Sequence, residues 1–226
     1  MSHFIRKQTK TAEADRPWTV AVLWTLRIIL ALTIFAEAAA GDLLYAAEAL
    51  LALALCSLAG SLLKAEGGPS PLDVEIVLLL MAVGNCTLGV AGNLYRSLPY
   101  YDKFLHVANP LALAFYGLPL LTSSLDSGRR NMAVALAALT VLAITGASAV
   151  WEILEYASDE LFMSTSQGSP TMMPLDDTMW DLMLSFLGAL VGVFFDTFLT
   201  ALCYRCNRSH SVYHLSPSKV GKHNHN

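Results

Sequence analysis

Six apolar runs, each close to the roughly 20 residues that an α-helix needs to cross a bilayer, take up most of this 226-residue chain. They start near Trp18, Leu43, Leu72, Asp102, Asn131 and Asp177 and end near Ala39, Leu63, Asn93, Thr122, Tyr156 and Tyr204. In lipid, a backbone N–H or C=O finds no water, so runs of this length are restricted to helices. The breaks between them carry turn chemistry: "AAGD", "KAEGGPSP", "NLYRSLPYY", "SSLDSGRRN" and the longer "DELFMSTSQGSPTMMPLD". Composition agrees, with 55% hydrophobic and only 14% charged residues, against about 25% charged in soluble domains. The expected fold is all-α: a polytopic six-transmembrane-helix bundle spanning 18–204, with tails at 1–17 and 205–226. No repeat, soluble domain or low-complexity tract interrupts it.

Orientation follows from the loop lysines and arginines, which favour the cytoplasmic side. The N-terminal tail carries Arg6, Lys7, Lys10 and Arg16, the second connection Lys64, the fourth Arg129 and Arg130, and the C-terminal tail Arg205, Arg208, Lys219 and Lys222. With six spans all of these share one side. The other side has Arg96 and, at a helix start, Lys103. Both termini are therefore expected in the cytoplasm. The first run is too long, and its preceding tail too long and too acidic, for a cleaved signal peptide. The basic residues sit in tails and one short loop, which excludes a nucleic-acid surface. Cys56, Cys86, Cys203 and Cys206 make no disulfide framework.

The acids are placed less simply. With cytoplasmic termini the fourth run enters from outside, and its first turns hold Asp102 and His106, four apart and on one helical face. The fifth run ends in "VWEILEYASDELF", where Glu152, Glu155 and Asp159 form one stripe. The sixth begins "DDTMWDLMLSFLGALVG", where Asp177 and Asp181 share a face. Three helices thus present acids at one depth, flanked by Trp151, Tyr156 and Trp180 as an interfacial aromatic belt. Asp159, Glu160 and Asp176 suit helix ends in water. Glu152 does not, because it lies furthest from the loop, and charges that deep usually face a bundle interior or a wet cavity.

So many carboxylates cannot all stay ionised in a partly dry pocket unless they share protons or a cation. Two solutions follow. One is a divalent metal, Mg²⁺, Mn²⁺, Zn²⁺ or Fe²⁺, on a set drawn from Asp102, His106, Glu152, Glu155, Asp177 and Asp181. The other is metal-free acid–base chemistry, with Asp102 orienting His106 and a carboxylate as its partner. Spacing does not choose between them. The Glu-x-x-His pair of di-iron bundles is absent.

"YDKFLHVANP", "WEILEY" and "DDTMWDLMLSFLGALVG", in that order, resemble the YjdF-like family of uncharacterised bacterial inner-membrane proteins. The resemblance covers roughly residues 100–192. More distantly, Asp102, Lys103 and His106 are similar to the Asp-Lys-x-x-His helix start of VanZ-like membrane proteins, and Glu155 and Asp181 match the later acidic positions. The long loop departs from the family: "STSQGSPTMMPLDD" replaces its usual "GTQGDVWD". The similarity to VanZ-like proteins implies chemistry on lipids or lipid-linked envelope precursors in the bacterial inner membrane.

The leading expectation is an inner-membrane enzyme, a hydrolase or transferase of a lipid or lipid-linked headgroup at the outer leaflet. His106, Asp102, Glu155 and Asp181 are its catalytic candidates. An ion- or proton-coupled transporter is the alternative, disfavoured because the acids crowd one face and only Arg27, Asn85 and Asp196 lie near mid-depth; a non-catalytic partner subunit is a third. Expected partners are membrane lipids, with self-association left open. Other features read as structural. Arg27 pairs with carbonyls inside the bundle, and Gly188 and Gly192 allow close helix packing. Asn85-Cys86-Thr87 is a sequon inside a span. Cys203, Cys206, His210 and His214 are spaced too tightly for a zinc finger.

Overall fold

The computed structural model describes residues 17–62, 70–124, 130–164 and 172–213. Of the residues behind the orientation, Arg6, Lys7, Lys10, Arg16, Lys64, Arg129, Lys219 and Lys222 lie outside these stretches, as does His214. Among the described residues, six helices are long and apolar enough to cross a membrane, so the chain is an all-α, multi-pass membrane protein. In order they are α1 (Pro17–Ala40), α2 (Leu43–Leu62), α3 (Pro71–Ala82, continued by a π-helical Val83–Ala91), the one-turn α4 (Leu94–Ser97), α5 (Tyr101–Ser124), α6 (Arg130–Phe162) and α7 (Pro174–Tyr213).

Each boundary has a local cause. Gly41 takes φ +90°, which a glycine adopts without a Cβ clash. This lets Gly41 N–H reach the Ala38 carbonyl and Asp42 N–H the Glu37 carbonyl, the paired closure of a Schellman cap. Pro71 opens α3, where its missing N–H costs nothing. The third run was expected to be one regular helix. Instead its C-terminal half widens into π-helix, and Gly92 N–H bonds the Thr87 carbonyl five residues back at 2.7 Å. Gly89 makes room: a Cβ there would collide with the Tyr95 ring. Asn93 then closes the segment at φ +57°, a conformation that Asn tolerates better than most residues.

Three expected ends move. α6 runs on past Tyr156 to Phe162, and α7 begins at Pro174 and runs on past Tyr204 to Tyr213. Asp159, Glu160 and Asp176 are therefore on helices, where the loop reading had them beyond.

The core is in two parts. Leu23, Leu26 and Leu30 of α1 pack with Ala49 and Cys56 of α2 and with Leu79, Ala82, Val83 and Cys86 of the third span. Ala114, Val141 and Ala189 join α5, α6 and α7. In the first half, Arg27 does not rest on carbonyls as expected. Its Nε lies 3.0 Å from Glu75 Oε1 and its Nη2 bonds the same oxygen. Gly60 leaves the space that the Glu75 carboxylate fills.

Candidate functional site

The second half carries the acids. α5 and α7 share the most extensive contact of any pair of described helices, and Gly188 and Gly192 let α7 lie directly against the α5 backbone. A Cβ on either would meet the carbonyl oxygens of Val107 and Leu111. That contact sets the register of the turns above it, where α7 presents Ser185, Asp181 and Asp177 to α5. All three are buried. α6 runs antiparallel to both and brings Glu152, 4% exposed, to the same depth. At about 1.5 Å per residue, His106, Glu152 and Asp181 sit one to three turns below the helix ends.

Lys103 and His106 organise the cluster. Lys103 Nζ donates to Asp102 Oδ2 at 3.0 Å, Asp177 Oδ1 at 2.5 Å and Asp181 Oδ2 at 2.6 Å. An ammonium has three N–H bonds, and all three are engaged. His106 Nε2 faces Glu152 Oε1 at 3.5 Å, Asp102 Oδ1 at 3.6 Å and Asp181 Oδ1 at 3.9 Å. Asp102 and Asp181 therefore divide their oxygens, one toward Lys103 and one toward His106. On its other side, His106 Nδ1 lies 3.1 Å from Ser185 Oγ. Thr178 hydrogen-bonds the Glu152 carboxylate. Asp181 Oδ1 is buried and has no hydrogen-bond partner among the described residues.

Of the sequence candidates, Asp102, His106, Glu152, Asp177 and Asp181 come together. Glu155 does not join the oxygens around His106: it accepts the Trp151 indole N–H at 2.7 Å on its own helix. Three helical residues turn about 300°, so Glu155 lies about 60° round the helix from Glu152, beside the cluster. Helical spacing gave two members of the cluster no role. Ser185 continues the Asp177–Asp181 interval by one more turn, a signal that was present. Lys103 stands in the same motif as Asp102 and His106.

A shallow, open cleft of about 380 Å³ runs between α6 and α7, lined by Ala149, Glu152, Ile153, Tyr156, Thr178 and Leu182. Its walls are mostly apolar, and Glu152 and Thr178 give it a polar end. Trp151, Tyr156 and Trp180 are exposed around it.

A second polar chain braces the site helix from the first half. Glu48 Oε1 accepts from Asn85 Nδ2 at 2.9 Å, and Asn85 Oδ1 accepts from the Tyr95 hydroxyl. Burial, then the charges of Asp102 and Glu155, push the Tyr95 phenol well above its ordinary pKa, so it stays a donor. Its ring meets Tyr101 edge-on at 5.5 Å, and Tyr101 donates to the Gly84 carbonyl at 2.7 Å. Tyr101 directly precedes Asp102.

Residues 20–201 match a family of membrane proteins known from their sequences. No curated protein matches the chain, and no solved structure does.

Proposed function

The chain belongs to the family described as Predicted membrane protein (DUF2238), and from that premise we propose an enzyme of the bacterial inner membrane that acts on a lipid or lipid-linked headgroup. The observation that carries this reading is the α6–α7 cleft. Its apolar walls suit an acyl or isoprenoid chain, and its polar end is Glu152, 3.5 Å from His106 Nε2. A lipid lying in the cleft brings its headgroup to the cluster without leaving the bilayer. The Asp-Lys-x-x-His start of α5, similar to that of VanZ-like proteins, supports this reading, and the basic loops favour the outer leaflet as the side of the site.

A phosphate is itself anionic, so the pocket accepts one with protons or a cation on its carboxylates, because the Lys103 ammonium is already held by Asp102, Asp177 and Asp181. At such a group, Glu152 takes the proton of an attacking water or hydroxyl as its oxygen bonds to phosphorus, the bond from phosphorus to the leaving oxygen breaks, and the proton held by Glu152 passes to that oxygen, which departs as an alcohol.

The interior below the site supports turnover over conduction. Beneath Ser185, Gly188 and Gly192 lie against the α5 backbone, and Ala189 packs with Ala114 and Val141. A transport path would need polar groups there.

The test is headgroup release from phospholipid and polyprenyl-phosphate vesicles bearing the purified protein, followed by phosphorus NMR. Wild type is expected to release product. His106→Ala is expected to lose roughly 10²–10⁴-fold in rate, and Ala149→Trp, which fills the cleft, is expected to lose release with His106 intact. No release from any of these lipids would overturn the reading.

A further inference from the structure

We propose that Asp102, His106 and Asp181 bind one divalent transition-metal ion of the manganese, iron or zinc group, with Glu152 outside the ligand set facing its open position. This deepens the reading above and rests on it for the substrate, though not for the binding itself.

The geometry singles out three ligands from the six sequence candidates. One atom each of Asp102, His106 and Asp181 lies within 4.8 Å of the other two. The Nε2 distances to the Asp102 and Asp181 oxygens are 3.6 and 3.9 Å. Ligands of a tetrahedral ion with bonds of about 2.1 Å stand about 3.4 Å apart, so a small inward movement closes the set. Asp177 is held by Lys103, and Glu155 accepts from Trp151, whereas the three ligand atoms of Asp102, His106 and Asp181 converge on one another.

Three further features point to a cation. Asp181, 2% exposed, leaves Oδ1 buried without a hydrogen bond among the described residues, and that atom faces His106 Nε2. Lys103 cannot serve it, since its three N–H bonds are spent on the opposite oxygens of Asp102 and Asp181 and on Asp177. In the tautomer in which Nδ1–H donates to Ser185 Oγ, Nε2 carries a lone pair that points at the same place as the carboxylate oxygens. Lone pairs that converge in this way are stabilised by a cation between them, and a partner on the far nitrogen is how a ligating histidine is fixed. Lys103 fixes the two aspartates in the same way, from their outer oxygens.

One imidazole with two carboxylates suits Mn²⁺, Fe²⁺ or Zn²⁺ better than Mg²⁺ or Ca²⁺, which take oxygen ligands. Three protein ligands leave a position for water or substrate, as catalytic metal sites do. Glu152 Oε1, 3.5 Å from Nε2 and at the polar end of the cleft, stands where a base would act on that position.

The experiment uses full-length protein in detergent, stripped with a chelator and titrated calorimetrically with Mn²⁺ or Zn²⁺. The histidines and cysteines of the C-terminal stretch are common to every variant, so the site is the equivalent that His106→Ala removes. Wild type is expected to bind one such equivalent. His106→Ala and Asp181→Asn are expected to lose it by tenfold or more in affinity, while Glu152→Gln retains it. Should the variants fail to fold, pulsed electron paramagnetic resonance of Mn²⁺ in wild type is expected to show one imidazole nitrogen. Absence of the equivalent, its survival in His106→Ala, or Mn²⁺ without nitrogen coupling would overturn the proposal. One bound metal without headgroup release would overturn the lipid reading alone, and release undiminished by the chelator would overturn the metal alone.

Discussion

Ser185 and Lys103 show how a neutral and an oppositely charged residue complete a site made mostly of acids. Asp102, His106, Asp177 and Asp181 were legible because a four-residue interval places two groups on one face. Ser185 sits on the same interval, but a lone hydroxyl in an apolar helix usually bonds its own backbone, as Thr140 does with the Leu136 carbonyl. Spacing places the α-carbon of Lys103 about 100° from that of Asp102, yet its flexible stem carries the charge across to α7. Two predictions belong here. Ser185→Ala is expected to weaken Mn²⁺ or Zn²⁺ about 10–100-fold, the usual effect of removing a partner behind a ligand, with thermal stability measured alongside to show the fold intact. Lys103→Met strands three carboxylates around a methyl group. Breaking a buried ion pair from one side costs roughly 3–5 kcal/mol, so this variant is expected to unfold at clearly lower temperature. Adding Asp177→Asn is expected to recover part of the loss, and a thermal melt of the three proteins checks both statements.

The helices were visible in the sequence as apolar stretches, but their ends and one of their shapes were not. Hydropathy falls where lipid gives way to water, whereas a helix stops where its backbone is capped. α6 and α7 therefore overrun their apolar parts, to Phe162 and Tyr213. The π-helical Val83–Ala91 is equally hidden, because its widening depends on the Tyr95 ring seated against Gly89, a contact between segments. Packing glycines were easier to read, and they allow a sharp comparison. Gly188→Val would force a side chain onto the Val107 carbonyl and push α7 from α5. Overpacking of this kind costs typically about 1–3 kcal/mol, and it would move Asp181 and Ser185 away from His106. A Cβ at Gly146 on α6 meets no neighbouring element within 4 Å, and Gly146→Val is expected to stay within about 0.5 kcal/mol of wild type. Denaturation of both variants, with metal affinity measured on each, separates a packing glycine from a lipid-facing one.

At the scale of the whole molecule, two three-helix halves with separate cores meet where Glu48, Asn85, Tyr95 and Tyr101 link the third span to the start of α5. No spacing rule in one chain says which helices become neighbours, so this joint and the closeness of α5 to α7 had to come from the structure. The side of the membrane is different, since it rests on the basic loops alone. It decides which leaflet supplies the substrate: the cluster lies at the end where α5 and α7 begin and α6 finishes. Tyr100, 79% exposed immediately before α5, marks that end. Cys203, exposed far along α7, marks the other, while Cys56 and Cys86 are buried. In intact cells, a Tyr100→Cys variant is expected to react with a membrane-impermeant thiol reagent. Cys203 in the parent protein is expected to react only after the membrane is opened. Cys206→Ser in both proteins keeps the comparison to these two positions. Labelling in the reverse order would put the cluster at the cytoplasmic surface. The cleft and its acids would be unchanged, but the lipid presented to Glu152 would come from the inner leaflet, and the outer-leaflet assignment would fall with it.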